Sequence, residues 1–403
     1  MKILVLNAGS SSQKSRLYEI AATGTLPELA PEPLWQADAD WTHHRGTTEV
    51  KISTAGGVML EESLHTDVRS EVITHILNTL WSGKTQVMSQ ASDISMVGHR
   101  VVHGGKEFEE STLVTPEVKA AISRMAVLAP EHNPANLEGI VVIERILPAV
   151  PQVAVFDTAF HRKMPLPAAV YPGPYEWFEQ EMYRYGFHGI SHQYCAQRTA
   201  QILGKELESL RLITCHLGNG CSLAAIRHGH SIDTTMGFTP LEGLMMGSRS
   251  GSIDPGLLLY LLQQKKYSVE QLNETLNTAS GLKGISGSGD MRQVLRGIKE
   301  GKPKAKLAFD MFVHRLRYYI GALLATLGGL DALVFTGGIG ENAAEVREAA
   351  CESFAFLGLK LDTRKNAQSP ADEHISAADS TLPVLIIHTQ EDWAIARECW
   401  KLA

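Results

Sequence analysis

The sequence predicts an α/β protein composed of two similar halves, and three observations support this prediction. Apolar runs rich in valine, isoleucine and leucine alternate with amphipathic segments of helix length, which excludes an all-helical fold. A pattern of strand, polar turn and strand occurs twice, about 210 residues apart. The length of 403 residues suits two or three domains of ordinary size.

The first strand, turn and strand unit begins near the N-terminus. Residues 3–6 are an apolar run that predicts a strand, residues 7–12 predict a turn, and the run up to Ile20 predicts a second strand. The small residues and hydroxyls of the turn, together with the ammonium group of Lys14, could hold phosphate oxygens. A polar hairpin turn without a ligand explains the same residues, so both interpretations remain open.

The second unit lies near the middle of the chain. Residues 212–215 and 223–226 predict two strands, and residues 216–222 predict the Gly- and Asn-containing turn between them. The presence of a second such turn favours phosphate binding by both. A P-loop NTPase is excluded, because the segment 82–85 has Asn78 where the first glycine of a Walker A motif would stand.

A glycine-rich turn in the last quarter of the chain predicts a nucleotide site. Residues 336–342 follow the apolar strand 333–335 and open a predicted helix, so a nucleotide could rest on the turn. Residues 338–343, with Asp362 about twenty residues further on, also satisfy a dinucleotide-binding fingerprint. Too few residues follow to complete a Rossmann sheet, so we favour a mononucleotide turn over a dehydrogenase.

Other segments predict the division of the chain and its remaining elements. Proline-containing stretches bracket the apolar strand 153–156, so the crossover between the halves is expected near residue 160. Residues 275–289 predict a loop, and residues 318–330 predict a buried helix that runs into a turn and is too short to span a membrane. A last strand, 382–387, leads into a final helix.

Composition limits the partners of this protein. With 37 Lys and Arg against 44 Asp and Glu, the net charge of −7 leaves no basic excess for nucleic acid or anionic membranes. The five cysteines show no CxxC spacing and predict reduced thiols. The apolar run after Met1 is too short for a signal peptide, so we expect a cytoplasmic protein.

Several charged residues stand in settings that suit anion chemistry. Arg100 and Arg249 have glycine and other small neighbours and predict loop positions with room for an anion, although solvated surface arginines would look alike. Asp157 ends a predicted strand, where it could face a cleft or cap the next turn. His188 and His192 are four residues apart but lack the glutamate of a zinc-protease motif, which favours hydrogen-bonding roles.

The start of the final helix predicts which acidic residue is available there. Thr389 and Asp392 have the spacing of a capping box, which would assign Asp392 to helix capping. Glu391 would then remain available for a ligand.

Taken together, these motifs resemble the acetokinase family of the actin/Hsp70/sugar-kinase superfamily. The resemblance implies two duplicated actin/ribonuclease-H-like domains, residues 1–161 plus 393–403 and residues 162–392, with an interdomain active-site cleft. It implies reversible transfer of the γ-phosphoryl group of ATP to acetate, giving acetyl phosphate and ADP, with Mg²⁺ or alternatively Mn²⁺, in a homodimer. Propionate or butyrate is the alternative acceptor. The matching segments are residues 7–14, 99–105, 157–161, 185–192, 216–222, 237–247, 281–292 and 337–342.

The resemblance also implies roles for individual residues. Arg100 and Arg249 would hold the carboxylate and the transferring phosphoryl group, with His188 hydrogen-bonded to the latter. Asp157 would orient the acid and share in the metal shell, whose other residues would be Asn7 and Glu391. The acyl pocket would contain Val102, His132, Phe187 and Pro240. The phosphate and nucleotide residues would be Ser10, Ser12, Lys14, His216, Gly218, Asn219, Gly220, Asp290, Met291, Arg292, Gly338, Ile339, Gly340 and Asn342.

The chemistry of carboxylate phosphorylation suits this residue set. A carboxylate is already a nucleophile at neutral pH, so the protein must supply cations and in-line positioning rather than a base. A sugar kinase would need a base to accept a hydroxyl proton. Glu131 stands where the family usually has leucine in the acyl pocket, so we expect its side chain to point away from the substrate. A non-catalytic nucleotide switch is a further hypothesis, in which Arg100 and Arg249 would have no use.

Overall fold

The structure is a computed structural model that describes residues 1–9, 12–44, 46–130 and 132–403, with the backbone alone for residues 42–44. The chain divides into two compact units. Unit 1 comprises Met1–Ala159 and Gln390–Ala403, and unit 2 comprises Phe160–Thr389. The domain limits implied by the resemblance, after residues 161 and 392, stay a prediction.

Unit 1 is built on a mixed sheet of eight strands within its described residues. The strands are β1 (Lys2–Ala8), β2 (Ser12–Glu19), β3 (Trp35–His44), β4 (Thr47–Thr54), β5 (Met59–Leu64), β6 (Met96–Val101), β7 (Thr112–Leu113) and β8 (Gln152–Phe156). Its α-helices are α1 (Arg69–Asn78), α2 (Pro116–Arg124), α3 (Asn133–Ile146) and the C-terminal α15 (Glu391–Lys401). The strand order is β5-β4-β3-β2-β1-β6-β8-β7.

Helices cover both faces of this sheet. Alternate residues of the strands, such as Leu4, Leu17 and Trp35, pack with α1 and α3 in the main apolar core. The opposite face receives α15, where the rings of Tyr18 and Trp393 lie 5.5 Å apart. The C-terminal helix is therefore part of unit 1, although its sequence follows unit 2.

Unit 2 contains a second sheet and most of the helices. Its strands are β9 (Arg211–Leu217), β10 (Cys221–Arg227), β11 (His230–Thr234), β12 (Ala332–Thr336), β13 (Glu373–His374) and β14 (Val384–Ile386), in the order β11-β10-β9-β12-β14-β13. Its α-helices are α4 (Leu166–Ala169), α5 (Tyr175–Glu179), α6 (Gly189–Leu203), α7 (Pro255–Gln263), α8 (Val269–Thr278), α9 (Gly281–Ser286), α10 (Met291–Lys299), α11 (Pro303–Leu327), α12 (Gly337–Asn342), α13 (Ala344–Glu352) and α14 (Thr363–Gln368).

The two sheets share one topology. In each, the first three strands form antiparallel hairpins, and two later strands pair in parallel beside the first. The set β3-β2-β1-β6-β8 therefore corresponds to β11-β10-β9-β12-β14. This correspondence confirms the predicted α/β fold with two similar halves. The predicted polar turns follow β1 and β9, the equivalent strands of the two sheets.

One predicted element was wrong, and another was right in type but not in burial. Residues 275–289 were expected to form a loop, but they contain the end of α8 and the whole of α9. The glycines there allow close packing instead: a Cβ at Gly281, whose φ is +62°, would lie 2.2 Å from the carbonyl oxygen of Met246. The helix expected within residues 318–330 is the end of α11, which finishes at Leu327 before a left-handed Gly328, as predicted. It is amphipathic rather than buried, because Tyr318 is 61% exposed.

Within the part of the chain that the structure describes, no helix is both long and apolar enough to cross a bilayer.

We expect Gly98→Ala to destabilise the protein, because α15 lies directly against Gly98 of β6. An added Cβ would lie 2.6 Å from Cys399 Sγ and 2.6 Å from Ile395 Cγ2. Such overpacking costs about 1–3 kcal/mol, measurable by denaturant unfolding. The matched control is Gly139→Ala within α3, where a Cβ meets no atom within 4 Å and helix propensity favours alanine. Equal stability of Gly98→Ala and the wild type would contradict this account of the packing.

Candidate active site

The central feature of the site in unit 1 is an ion pair between Arg100 and Asp157. Arg100 lies within β6 and not in a loop, so its predicted setting was wrong; its glycine neighbour Gly98 serves helix packing rather than a turn. Asp157 directly follows β8, and its backbone N–H donates to the Val101 carbonyl at 2.9 Å. Arg100 Nη2 donates to Asp157 Oδ2 at 2.6 Å. Because β6 and β8 are paired in parallel, both side chains project from the same end of the sheet.

Burial and neighbouring charges have opposite effects on Arg100. Burial lowers the pKa of Arg100, but the carboxylates of Asp157, Glu391 and Asp392 outweigh it, and the pKa is raised above its ordinary value. The guanidinium is therefore charged at any working pH. Among the described residues, Asp157 Oδ1 and Arg100 Nε are buried without a hydrogen-bond partner. Such atoms are costly in a closed core and indicate a polar group that binds there.

The acidic start of α15 lies beside Asn7, at the C-terminal end of β1. Asn7 Nδ2 donates to Asp392 Oδ1 at 2.8 Å and lies 3.4 Å from Glu391 Oε2. Asp392 Oδ2 is also 3.6 Å from Arg16 Nε. The predicted capping box is wrong, because the N-cap residue is Gln390 and no side chain caps the helix. Asp392 instead holds Asn7 and Arg16, a role that its local sequence could not reveal.

The residues around Asn7 suit Mg²⁺ better than a metal that needs a full protein cage. Among the described residues, no group of three or more His, Cys, Asp or Glu side chains could enclose a metal ion. Mg²⁺ usually keeps several waters and binds one or two carboxylates together with substrate phosphates. Glu391 and the unpartnered Oδ1 of Asp157 offer that type of oxygen donor. The donor chemistry therefore fits a partly hydrated Mg²⁺.

The other predicted residues of unit 1 occupy varied positions. Lys14 is exposed on β2, directly opposite Asn7 in the strand register. Ser12 begins β2, and its carbonyl accepts from the Gly9 N–H at 2.8 Å. His132 is the N-cap residue of α3, and Val102 is buried after β6. Ser10 and Glu131 lie outside the described residues.

Two asparagines that the sequence analysis missed hold the segment after β6. Asn136 Oδ1 accepts from the Val102 N–H at 3.1 Å, and Asn136 Nδ2 donates to the Ala8 carbonyl at 3.3 Å. Asn133 Oδ1 accepts from the His103 N–H at 3.1 Å. Both are buried on the first turn and a half of α3. They fix the backbone beside Arg100, and only the position of α3 in the fold identifies them.

In unit 2, His188 and Arg249 converge on the turn after β9. A Cβ at Gly220 would lie 3.4 Å from Arg249 Nη1 and 3.4 Å from His188 Cε1, so both side chains approach this glycine closely. His188 has a left-handed backbone, φ 58° and ψ 25°, at the start of α6. A histidine in that region is uncommon and often marks a functional site. Arg249 Nη1 also donates to the Pro240 carbonyl at 3.3 Å.

Buried hydroxyl groups surround the histidines of unit 2. His188 Nδ1 lies 2.9 Å from Ser222 Oγ, and the His188 ring stacks on His216 with centroids 4.2 Å apart. His216 Nδ1 is in turn 2.8 Å from Ser191 Oγ. His192 is fully buried, and its two ring nitrogens each lie 2.7 Å from a hydroxyl oxygen, which confirms the expected hydrogen-bonding role. Phe187 is buried, and its carbonyl lies 3.1 Å from His161 Nε2.

Most of the nucleotide residues predicted for unit 2 line one cavity of about 720 Å³. Asp290 is the N-cap of α10 and pairs with Arg292 at 2.8 Å. The Gly247 N–H donates to the Asn219 carbonyl at 3.0 Å, which holds the turn after β9 in place. Gly220 lies on that turn, His216 lies near the end of β9, and Gly340 is buried in α12. The cavity is lined by Gly218, Asn219, Gly289, Asp290, Met291, Arg292, Leu295, Gly338, Ile339, Asn342 and Ala343.

The sequence model of the acetokinase family matches residues 2–397. The chain belongs to the acetokinase family. Among curated relatives, the acetate kinases of Trichormus variabilis and Gloeobacter violaceus are each 61% identical to it over 403 residues, covering all of this chain and 99% of theirs.

Solved structures of this family share the fold. The acetate kinase of Porphyromonas gingivalis gives a TM-score of 0.89 at 38% identity, covering 100% of this chain and 99% of that one. A propionate kinase from Francisella tularensis subsp. tularensis gives 0.90 at 39% identity, with both chains fully covered.

Membership of the acetokinase family confirms the resemblance drawn from the motifs. It also confirms the predicted class of enzyme, a phosphotransferase with a carboxyl group as acceptor and ATP as co-substrate. The non-catalytic nucleotide switch is therefore not retained.

Arg347 is a further residue of the nucleotide side that the sequence analysis missed. It is fully buried on α13, and its guanidinium donates only to neutral acceptors among the described residues. The carbonyls of Gly340 and Glu341 accept at 2.8 and 2.9 Å. Asn366 accepts through Oδ1 at 2.8 Å and through its carbonyl at 2.6 Å, and Ser369 Oγ accepts at 2.9 Å. Burial lowers the pKa of Arg347 to about 10. Arg347 thereby ties the end of α12, beside the cavity, to α14.

We expect Arg347→Met to weaken nucleotide binding, because the carbonyls of Gly340 and Glu341 lose their donors and α12 can shift. A buried polar group left unpaired costs about 1–3 kcal/mol, so the KM for ATP should rise about tenfold. The KM for the carboxylate should change little. Arg317→Met is the matched control, since Arg317 also donates to a backbone carbonyl, that of Ala349, but does not touch α12. An unchanged KM for ATP in a folded Arg347→Met protein would contradict this role.

Proposed function

We propose that this chain is an acetate kinase, which transfers the γ-phosphoryl group of ATP reversibly and directly to acetate. The observation that carries the proposal is the partly buried Arg100, held charged by Asp157 at the end of paired parallel strands. A fixed guanidinium there would bind a small carboxylate bidentately. The proposal is supported by relatives named acetate kinase that are about 60% identical over the whole chain.

The acceptor needs orientation rather than activation. Acetate is ionised at neutral pH, so its oxygen can attack phosphorus without losing a proton. Arg100 would hold the acid, and Asp157 would fix the guanidinium through the 2.6 Å contact. In unit 1, Val102 would limit the size of the acyl group. Phe187 and Pro240 would have the same role in unit 2.

The donor side supplies charge to the transferring group. The backbone of residues 218–220 would hold phosphate oxygens, while Arg249 and His188 would donate to the γ-phosphoryl group as negative charge spreads over its oxygens. Arg249 keeps its position through the Pro240 carbonyl, and His188 through Ser222 Oγ. None of these groups has to accept a proton during the transfer.

Mg²⁺ is part of this proposal, with Asn7 and Glu391 as the residues that would hold it and Asp157 acting partly through water. When bound, the ion neutralises phosphate oxygens and polarises the γ-phosphorus. Asp392 would position Asn7 through their 2.8 Å hydrogen bond instead of facing the ion.

A homodimer and a cytoplasmic location complete the proposal. The helix α7 supports the dimer, because it is almost wholly apolar and none of its residues is buried. Its exposed side chains include Leu257, Leu259 and Tyr260. A second copy of the chain would cover this surface.

The function is tested with ATP, Mg²⁺ and a panel of acids, trapping acyl phosphates with hydroxylamine. We expect hydroxamate with acetate and the highest kcat/KM for acetate over propionate and butyrate. Propionate is a meaningful competitor, since the Francisella relative is named a propionate kinase. Arg249→Ala should lower the rate on the order of 10²-fold, whereas the exposed Arg227→Ala serves as the control. No hydroxamate at high acetate would refute the proposal, and a clear preference for propionate would change its substrate.

The metal assignment is tested by comparing Glu391→Gln with Asp392→Asn. Glu391→Gln removes a carboxylate that would bind the ion or its waters, so half-saturation should need about 10–100 times more Mg²⁺. Asp392→Asn keeps an oxygen that accepts from Asn7, so its effect should be smaller. Mg²⁺ titrations of the initial rate measure both. A larger shift for Asp392→Asn would exchange the two roles.

A further inference from the structure

A chain of hydrogen bonds connects the interior of unit 2 to His188. Thr214 Oγ1 lies 2.7 Å from His192 Nδ1, His192 Nε2 lies 2.7 Å from Ser222 Oγ, and Ser222 Oγ lies 2.9 Å from His188 Nδ1. Thr214, His192 and Ser222 are fully buried. The remaining nitrogen of His188, Nε2, lies on the side of Gly220 and Arg249. We call the hydrogen-bonded series Thr214, His192, Ser222 and His188 the Thr214 chain.

Which group donates in each hydrogen bond of the Thr214 chain depends on which ring nitrogen of His192 carries its proton. Burial and the nearby rings of His161 and His216 keep the pKa of His192 well below its usual value, so the ring is neutral and has one N–H. Ser222 has one hydroxyl hydrogen, which it can give to only one of the two histidines. Two orders are therefore possible along the chain, and they place opposite tautomers on a neutral His188.

Thr214 decides between these two orders. In one order, Thr214 donates to His192 Nδ1, His192 Nε2 donates to Ser222, and Ser222 donates to His188 Nδ1. In the other, His192 Nδ1 donates to Thr214, whose own hydroxyl hydrogen then has no acceptor among the described residues. A buried hydroxyl hydrogen without an acceptor is costly, so the first order is favoured.

We propose that Thr214, His192 and Ser222 are positioning residues that hold a neutral His188 with its proton on Nε2. His188 would then donate to the transferring phosphoryl group without being protonated to a cation. The opposite tautomer would turn a lone pair towards the phosphate oxygens. This inference rests on the proposed function, because it assigns His188 to the phosphoryl group.

The surroundings of His188 explain why a neutral donor is useful there. His216 stacks on its ring with centroids 4.2 Å apart, and Arg249 Nη1 and His188 Nε2 both lie close to the position that a Cβ of Gly220 would occupy, at 3.4 and 3.5 Å. His192 faces it through Ser222. A cationic His188 would be repelled by Arg249, whereas a neutral Nε2–H donor can share the phosphoryl oxygens with that guanidinium. The Thr214 chain thus keeps His188 Nε2 a hydrogen-bond donor at pH values where an ordinary histidine would have lost its charge.

The first test reads the tautomer of His188 directly and needs no substrate. The full chain is labelled with ¹⁵N-histidine, and the His188 ring is assigned as the signal lost in His188→Gln. At pH 8 we expect a neutral ring with the proton on Nε2. A proton on Nδ1, or a cationic ring, would overturn the inference. If the wild type makes no acetyl phosphate, the proposed function fails while this result still stands.

The second test separates positioning from general structural support. Ser222→Ala should lower kcat about tenfold at pH 8 and less at pH 6, where a cationic His188 can donate from Nε2 in any case. Wild-type kcat should stay flat over this range. In a His188→Gln background, Ser222→Ala should have little further effect, since residues that act as a unit are not additive. A drop in kcat that is the same at pH 6 and pH 8 would refute the inference. So would the same tenfold drop when Ser222→Ala is added to His188→Gln.

The control variant is Ser231→Ala. Ser231 is a fully buried serine in the same sheet, and its Oγ lies 2.7 Å from Nδ1 of His161. It matches the Ser222 contact in chemistry but does not touch His188, so kcat and its pH profile should stay close to those of the wild type. If Ser231→Ala reproduces the pH dependence of Ser222→Ala, the effect is not specific to the Thr214 chain.

Discussion

The close packing of α15 on β6 is the constraint on which the site in unit 1 depends. Because Gly98 has no side chain, the helix approaches the strand closely enough to place its acidic first turn beside Arg100 and Asn7. The same contact brings residues from opposite ends of the chain together. Arg100 therefore receives its charge environment from the C-terminal helix as well as from Asp157 on the neighbouring strand.

In unit 2, buried hydroxyl groups take the place that carboxylates have around many catalytic histidines. His188 contacts Ser222, and His216 contacts Ser191. The ring of His161 contacts Ser231, and that of His192 contacts Thr214. Hydroxyl partners do not stabilise imidazolium cations as a carboxylate would. Rings this close to one another and to Arg249 are better kept neutral, and a reaction without a base has no need of a charged histidine relay.

The sequence predicted what depends on local pattern and missed what depends on distant partners. Apolar runs and polar residues identified β1, β9 and the turn at residues 218–220 that follows β9. The setting of Arg100 was misjudged because Gly98 looks like a turn residue, although it admits α15. Asp392 matched a local capping pattern, yet its partner Asn7 is 385 residues away. Arg347 gave no local signal, because most of its acceptors are backbone carbonyls that only the folded chain brings together.

The balance of charge in unit 1 bears on how an anionic acid could bind there. Around Arg100, the carboxylates of Asp157, Glu391 and Asp392 outnumber the two guanidinium groups, since Arg16 is the other. Such a cluster alone would repel acetate. A divalent cation held at Glu391 would reverse the sign of the local field, and Arg100 could then direct its free donors to the acid. On the proposed function, the acidic cluster therefore makes binding of the acid depend on binding of the metal.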